Sequence, residues 1–276
     1  MPAPIVTFLS DFGLEDWFVG VVHGVVNEVA PGAHVVDVNH LIPPGNIVRG
    51  AFLLEAASAD FAPGTIHLAV VDPGVGTDRR GLAVAARGQY FVGPDNGLLE
   101  WALAADDAVV HELSETRWFR SPVSRTFHGR DVFVYTGARL AAGVIGFEQV
   151  GPDVPPEKLI RLSYKRPQRL GAKLSGIVPV LDVQYGNVWS NIPKPLFDEL
   201  KIPLGAPVHV RILHHDQLVH EEVVPYQRTF GEVPVGKPLL YINSLLNVAV
   251  ALNQGNYAAA HKIESGPDWF IEVGKD

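Results

Sequence analysis

Thr65-Ile66-His67-Leu68-Ala69-Val70-Val71-Asp72-Pro73-Gly74-Val75-Gly76-Thr77-Asp78-Arg79-Arg80 is the stretch that decides the fold. Residues 65–71 form an apolar run that stops at Asp72, as a buried strand does, and a proline with two glycines then forces a tight loop. Runs of this kind alternate with helical periodicity from the N-terminus to about Gly146. That alternation predicts an α/β domain whose sheet is mostly parallel and flanked by helices. Upstream, residues 5–9 read as a strand. Residues 17–30 read as a helix, with Phe18, Val22, Val25 and Val29 at spacings of three and four. Residues 35–38 follow as a strand and 47–57 as a helix. Downstream, residues 82–86 and 90–92 read as strands joined by the turn Arg87-Gly88, and 97–104 and 132–142 as helices.

The chain has 276 residues, 47% hydrophobic and 19% charged, which excludes disordered and fibrous architectures and leaves room for one large or two ordinary domains. It has no cysteine, so disulfides, thiolate metal clusters, iron–sulfur centres and cysteine nucleophiles are excluded. Residues 1–5 run into a strand with no basic segment and long apolar run, so no signal peptide is expected and the expected location is cytoplasmic. No stretch approaches the roughly 20 apolar residues of a membrane helix, and a net charge of -8 disfavours a phosphate backbone, so neither membrane nor nucleic acid is an expected partner.

Between residues 150 and 170 the composition shifts to Pro152, Pro155, Pro156 and Pro167 among five basic residues, a stiff polar joint. A boundary near residue 165 is expected, with an α/β domain over 1–165 and a small all-β, barrel-like or sandwich domain over 166–276. In the latter, residues 173–182, 207–213, 239–242, 248–252 and 269–273 read as strands.

In open α/β sheets, ligands bind at the carboxyl ends of strands, which singles out Asp11 and Asp72. Asp11 stands in Ser10-Asp11-Phe12-Gly13, with Asp16 behind it; the plainer assignment for Asp16 is the cap of the helix starting near Trp17. The loop after Asp72 lacks G-x-x-x-x-G-K-[ST] and G-x-G-x-x-G, so a nucleotide-phosphate loop is a poor fit. Asp72 with Arg79 is either part of a site or an ion pair bracing the turn. In Thr126-Phe127-His128-Gly129-Arg130-Asp131, His128 lies before a helix. With an aspartate it makes an oriented general base or a metal ligand. His23, His34 and His67 sit in apolar periodic segments and read as structural. No H-E-x-x-H or H-x-H element is present, and no metal is expected in the catalysis. In the second domain, Leu181-Asp182-Val183-Gln184-Tyr185-Gly186-Asn187-Val188-Trp189-Ser190-Asn191 and Tyr241-Ile242-Asn243-Ser244 present Asp and Asn groups around turns near aromatics. That pattern suits a zwitterionic or heteroaromatic small molecule, and equally an Asx-stabilised β-turn.

Six ordered motifs, spanning nearly the whole chain, resemble one family. They are Ser10-Asp11-Phe12-Gly13 with Asp16, the segment from Val71 to Thr77 with Arg79-Arg80, Gly93-Pro94-Asp95-Asn96-Gly97, Phe127-His128-Gly129-Arg130-Asp131, Tyr185-Gly186-Asn187 with Ser190-Asn191, and Ile242-Asn243-Ser244. The sequence resembles the S-adenosyl-L-methionine hydroxide adenosyltransferase family, which is homologous to the fluorinating and chlorinating enzymes using the same substrate. The resemblance implies an α/β domain followed by a β-barrel, in a homotrimer with active sites between subunits. It also implies attack of water or hydroxide on the ribose C5′ of S-adenosylmethionine, giving adenosine and L-methionine without a cofactor.

By motif match the catalytic set falls on Asp72, Arg79 and His128, none of which is replaced as in the halogenating branch. Substrate binding falls on Asp11, for the ribose hydroxyls, on Asp16, on Asp182, Asn187 and Ser244 for the methionine and adenine ends, and on the backbone around Leu252 for adenine. Family members commonly carry a glycine two positions after the serine, whereas Leu246 stands here. Two other readings compete with the hydrolase: a halide-using relative, and an S-adenosylmethionine or adenosine binding protein with negligible turnover.

Overall fold

The N-terminal half is built by alternation. Val6 and Phe8 face one side of a strand and Leu9 the other, as do Leu68 and Val70 against Ala69 and Val71, so the sheet has apolar residues on both faces and needs a helical layer on each. In a computed structural model describing residues 3–275, this half forms a compact unit ending at Ser163, and a second unit begins at Tyr164. The first unit runs β1 (Ile5–Ser10), α1 (Phe18–Val29), β2 (His34–Asn39), α2 (Ile47–Ser58), β3 (Ile66–Val70), β4 (Gly81–Ala86), β5 (Gln89–Pro94), α3 (Glu100–Leu103), β6 (Val109–Glu112), a π-helical stretch (Gly129–Val134) and α4 (Tyr135–Ala141). The sheet order is β2-β1-β3-β5-β4-β6. Strands β2, β1, β3 and β5 pair in parallel, and β4 pairs antiparallel with both β5 and β6, so the sheet is mixed. α1 and α4 pack on the Phe8 and Leu68 face, and α2 and α3 on the Leu9 and Ala69 face.

Two expectations need correction here. The helix expected over 97–104 shrinks to α3, and the segment expected to turn helical at Val132 does so from Gly129, through a π-helical stretch. Strand β6 carries too little periodicity to be seen in sequence. His67 is structural, as expected: it is wholly buried, its Nδ1 is 2.7 Å from the Thr7 hydroxyl on the paired strand, and burial holds its pKa down to about 4.

The second unit runs β7 (Gln168–Leu170), β8 (Lys173–Val178), β9 (Val180–Asp182), β10 (Asn187–Pro193), α5 (Lys194–Asp198), β11 (Pro207–His214), β12 (Gln217–Pro225), β13 (Pro238–Ile242), β14 (Asn247–Leu252), α6 (Tyr257–His261) and β15 (Gly266–Gly274). The single strand expected over 173–182 divides at Pro179, which cannot donate to a ladder. All ladders are antiparallel, in sheets ordered β13-β14-β10-β9 and β12-β11-β15-β8-β7, and both contribute to one core centred on Val188, Ile192, Val210, Ile212, Val250 and Ile271. The barrel-or-sandwich choice thus resolves into two hydrogen-bonded sheets over a shared core, bridged by an isolated pair between Tyr226 and Leu240. Among the described residues no helix is long and apolar enough to cross a membrane.

Candidate active site

Strands β1 and β3 are adjacent and parallel, with Ser10 in register with Val70, so the loops carrying Asp11 and Asp72 leave the same edge of the sheet. Asp11 is half-buried; its Oδ2 accepts from the Gly45 N–H at 2.8 Å. Burial raises its pKa above the ordinary 3.8, against the effect of that hydrogen bond, and the nearby Asp72 charge adds to the rise. Asp16 is exposed. α1 starts at Phe18 with Trp17 in the cap position and no side-chain cap bond, so the capping assignment for Asp16 does not hold.

The loop after β3 is held by its own chemistry. The Thr77 hydroxyl donates to the Gly74 carbonyl at 2.6 Å. Gly76 has φ +80°, and a Cβ there would lie 2.4 Å from the Arg125 carbonyl oxygen, so only glycine fits. This turn carries Arg79 back over Asp72. The Arg79 Nε donates to both carboxylate oxygens, at 2.8 and 3.0 Å, and Nη2 donates to Oδ2 as well. Only 11% of the Arg79 side chain and 5% of the Asp72 side chain are exposed, which places the pair among the buried, fully hydrogen-bonded ion pairs. The guanidinium also lies 5.0 Å from the Phe133 ring centroid.

His128 completes the cluster from the start of the π-helical stretch. Gly129 explains how it gets there: a Cβ at that position would sit 2.8 Å from Phe12 and 3.2 Å from Val70, so the bare backbone lets the helix end close on β3. Arg79 Nη2 is 3.1 Å from His128 Nδ1. A guanidinium only donates, so Nδ1 accepts and the neutral ring keeps its proton on Nε2. Burial first, and the Arg79 charge second, lower the His128 pKa below 6.5, against the opposing charges of Asp72 and Asp131. The sequence offered Asp131 as the group that orients the imidazole. The structure assigns that task to Arg79, because the fully buried Asp131 carboxylate is taken up by Arg130 at 2.5 and 3.1 Å and by the Ser124 N–H at 2.7 Å.

Arg80 and the Pro94-Asp95-Asn96 motif serve as bracing. Arg80 pairs with buried Asp95 at 2.7 and 3.0 Å, and the Asn96 amide donates to the Val71 carbonyl at 2.9 Å, fixing the strand end that presents Asp72.

In the second unit, the hairpin between β9 and β10 and the turns after β13 and β14 surround a cleft of about 840 Å³. All four second-domain residues singled out from sequence, Asp182, Asn187, Ser244 and Leu252, line it. Asn187 donates to Asp182 Oδ2 at 3.0 Å across the hairpin base, while the turn itself closes through the Tyr185 and Gly186 N–H groups on the Asp182 carbonyl, so the Asx turn expected here is not formed by these two side chains. The Trp189 indole donates to the Tyr241 hydroxyl at 3.3 Å, Phe230 meets Tyr241 edge to face at 4.9 Å, and burial pushes the Tyr241 pKa up to about 12. Asn243 accepts from the Leu245 and Asn247 N–H groups, both at 3.0 Å, and so shapes the turn that presents Ser244.

Comparison with known proteins decides the family. The model for the SAM hydroxide adenosyltransferase N-terminal domain matches residues 6–151, and that for the C-terminal domain matches 176–270. The chain belongs to the SAM hydroxide adenosyltransferase family. Curated relatives include a protein of Salinispora arenicola named (R)-S-adenosyl-L-methionine hydrolase, 39% identical over 98% of each chain, and one of the same name from Thermus thermophilus, 41% identical over 95% of this chain and 96% of the other. A fluorinase of an Actinoplanes species is 28% identical over 96% and 97%. The crystal structure of an uncharacterised conserved protein from Thermotoga maritima superposes with a TM-score of 0.90 at 33% identity, covering 98% of this chain and all of that one.

Within this SAM hydroxide adenosyltransferase chain the two matched domains hold the two groups of candidate residues separately. The N-terminal match includes Asp11, Asp16, Asp72, Arg79 and His128, and the C-terminal match includes Asp182, Asn187, Ser244 and Leu252. Sequence reading missed Phe230 and Asn253, which also line the cleft. Phe230 lies in a polar loop with no periodicity to mark it, and only its place against Tyr241 reveals it.

Proposed function

We propose that the chain hydrolyses S-adenosyl-L-methionine. A water or hydroxide oxygen bonds to the ribose C5′, the C5′–sulfur bond breaks with inversion, and the electron pair leaves on sulfur as the neutral thioether of L-methionine, with adenosine as the other product. The sulfonium leaves without protonation, so the site needs no general acid, only help for the nucleophile. The observation that carries this reading is Arg79 held at once by Asp72 and by His128 Nδ1.

That arrangement gives the three residues separate tasks. Arg79 holds Asp72 in place through both carboxylate oxygens and supplies positive charge that stabilises an anionic oxygen nearby. His128, neutral with its proton on Nε2, donates to the attacking oxygen and orients it, which leaves Asp72 to receive the proton. A placed base contributes about 10² to 10⁴-fold, and in-line alignment contributes up to roughly 7–11 kcal/mol, so positioning outweighs proton removal. Asp11 holds the ribose hydroxyls. Asp182, Asn187 and Ser244 hold the methionine and adenine ends, with the backbone at Leu252 against adenine and Trp189, Phe230 and Tyr241 as the apolar wall. The substrate is the R epimer at sulfur, as in the names of the hydrolase relatives. The working form is a cytoplasmic homotrimer, with the catalytic half of each site supplied by one copy and the binding half by its neighbour.

The test is chromatography of products from purified protein and substrate alone, in chelator. Adenosine and methionine in equal amounts are expected, and no 5′-halogenated nucleoside when chloride or fluoride is added. Absence of adenosine, or a halogenated product in its place, contradicts the proposal.

A further inference from the structure

On β12, alternation directs residues 220, 222 and 224 to one face. Val224 is wholly buried in the core, yet the two positions before it on that face are His220 and Glu222. Edge strands do carry inward-facing charges against aggregation, and β12 is an edge strand. A lone charge would serve that purpose, whereas here a third ligating group joins the two. His261, at the end of α6, stacks on His220 with ring centroids 3.7 Å apart and an interplanar angle of 26°. One ligand atom from each of His220, Glu222 and His261 lies within 4.8 Å of the others.

Two further features distinguish this cluster from a chance grouping. His220 Nε2 is buried and makes no hydrogen bond, although Glu222 Oε1 is 3.2 Å away; the pair is close but misaligned. In turn Glu222 Oε1 accepts a 2.7 Å hydrogen bond from the hydroxyl of wholly buried Tyr257, the kind of outer support that orients a ligating carboxylate. The His220 side chain is 19% exposed and that of Glu222 24%, so solvent ligands can complete a coordination shell.

We propose that His220, Glu222 and His261 form a binding site for a divalent first-row transition metal, separate from the catalytic cluster and from the cleft. Two imidazoles and a carboxylate suit zinc, cobalt, nickel or copper rather than calcium or magnesium. Ligand nitrogens at about 2.0–2.1 Å from a tetrahedral zinc stand about 3.3 Å apart, within reach of modest ring rotations from the stacked arrangement. The metal ties β12 to α6. The Asn256 side chain caps α6 by accepting from the Ala259 N–H at 2.7 Å, and Asn256 also lines the cleft, so the tie stiffens one wall of it.

The test is calorimetric titration of the chelator-treated, untagged full chain with zinc sulfate, repeated with cobalt chloride to read the visible absorption of bound Co²⁺. One equivalent per chain is expected. His220→Gln and His261→Gln should each weaken binding at least tenfold, with circular dichroism unchanged, while His215→Gln, at the exposed His214–His215 stack, should leave it intact. Zinc should also raise the melting temperature of the wild type and not of the His261→Gln variant. Substoichiometric binding by the wild type, unchanged affinity in both variants, or loss of binding in His215→Gln would overturn the site. Hydrolysis in chelator reads the catalytic proposal independently, since it requires no metal.

Discussion

Around Asp72 nearly every polar group already has a partner: Arg79 is fixed by a carboxylate, an imidazole and the face of Phe133 before any ligand arrives. The cleft in the second unit differs. Its wall is Trp189, Phe230 and Tyr241, its polar groups are the Asp182 carboxylate with amides and a hydroxyl at turns, and Tyr185 at its edge is 66% exposed. The first arrangement has little left to reorganise and is suited to stabilising charge that develops during a reaction. The second offers area and a few directional groups, which is what recognition of a bound molecule requires. Under the proposed function, the first region sets rate and the second affinity.

Substitutions can break that division. Asp72→Asn keeps the shape but removes the charge that Arg79 answers. We expect kcat to fall by about 10² to 10⁴-fold with KM changed by less than about threefold, read from steady-state kinetics. Equal losses in kcat and affinity would turn this region into a binding subsite. Asp182→Ala should do the reverse, raising KM by roughly 10-fold to 30-fold, as expected for a lost charge-assisted hydrogen bond, with kcat nearly unchanged.

The pH dependence sharpens the same point. Because the His128 pKa is lowered from 6.5, the neutral ring persists below that value, and Arg79 needs a neutral Nδ1 to donate to. Activity should therefore be flat near neutrality and fall as the pH drops through an inflection below 6.5, about tenfold per unit beyond it. An inflection above that value would mean that the imidazolium, and not the neutral ring, is stabilised there. The smallest effect is expected at Leu246, which is 63% exposed and sits at φ +59°. Leu246→Gly should stabilise the chain by up to about 1 kcal/mol in urea unfolding by relieving the left-handed backbone, without touching kcat.

How much of this was legible in sequence follows from what each feature depends on. Asp11 and Asp72 were legible because apolar runs end at them, and parallel pairing of β1 and β3 then brings them to one sheet edge. Strands β6 and β12 were not, because β6 is four residues long and β12 mixes polar residues on both faces, so pairing partners decide them. His128 was legible as a loop-end histidine beside glycine, but its orienting partner was misread. Asp131 is near in sequence, whereas Arg79 is 49 positions away and arrives only through the turn at Gly76. The acidic net charge of -8 pointed away from a phosphate-backbone partner, yet said nothing of the buried Asp72–Arg79 pair.

The most direct measurement is incubation with S-adenosyl-L-methionine in ¹⁸O-enriched water, followed by mass spectrometry of the products. One ¹⁸O atom in the 5′-hydroxyl of adenosine, with unlabelled methionine formed in equal amount, is the expected result. Adenosine without label, or label in methionine, would contradict attack by water at the ribose carbon.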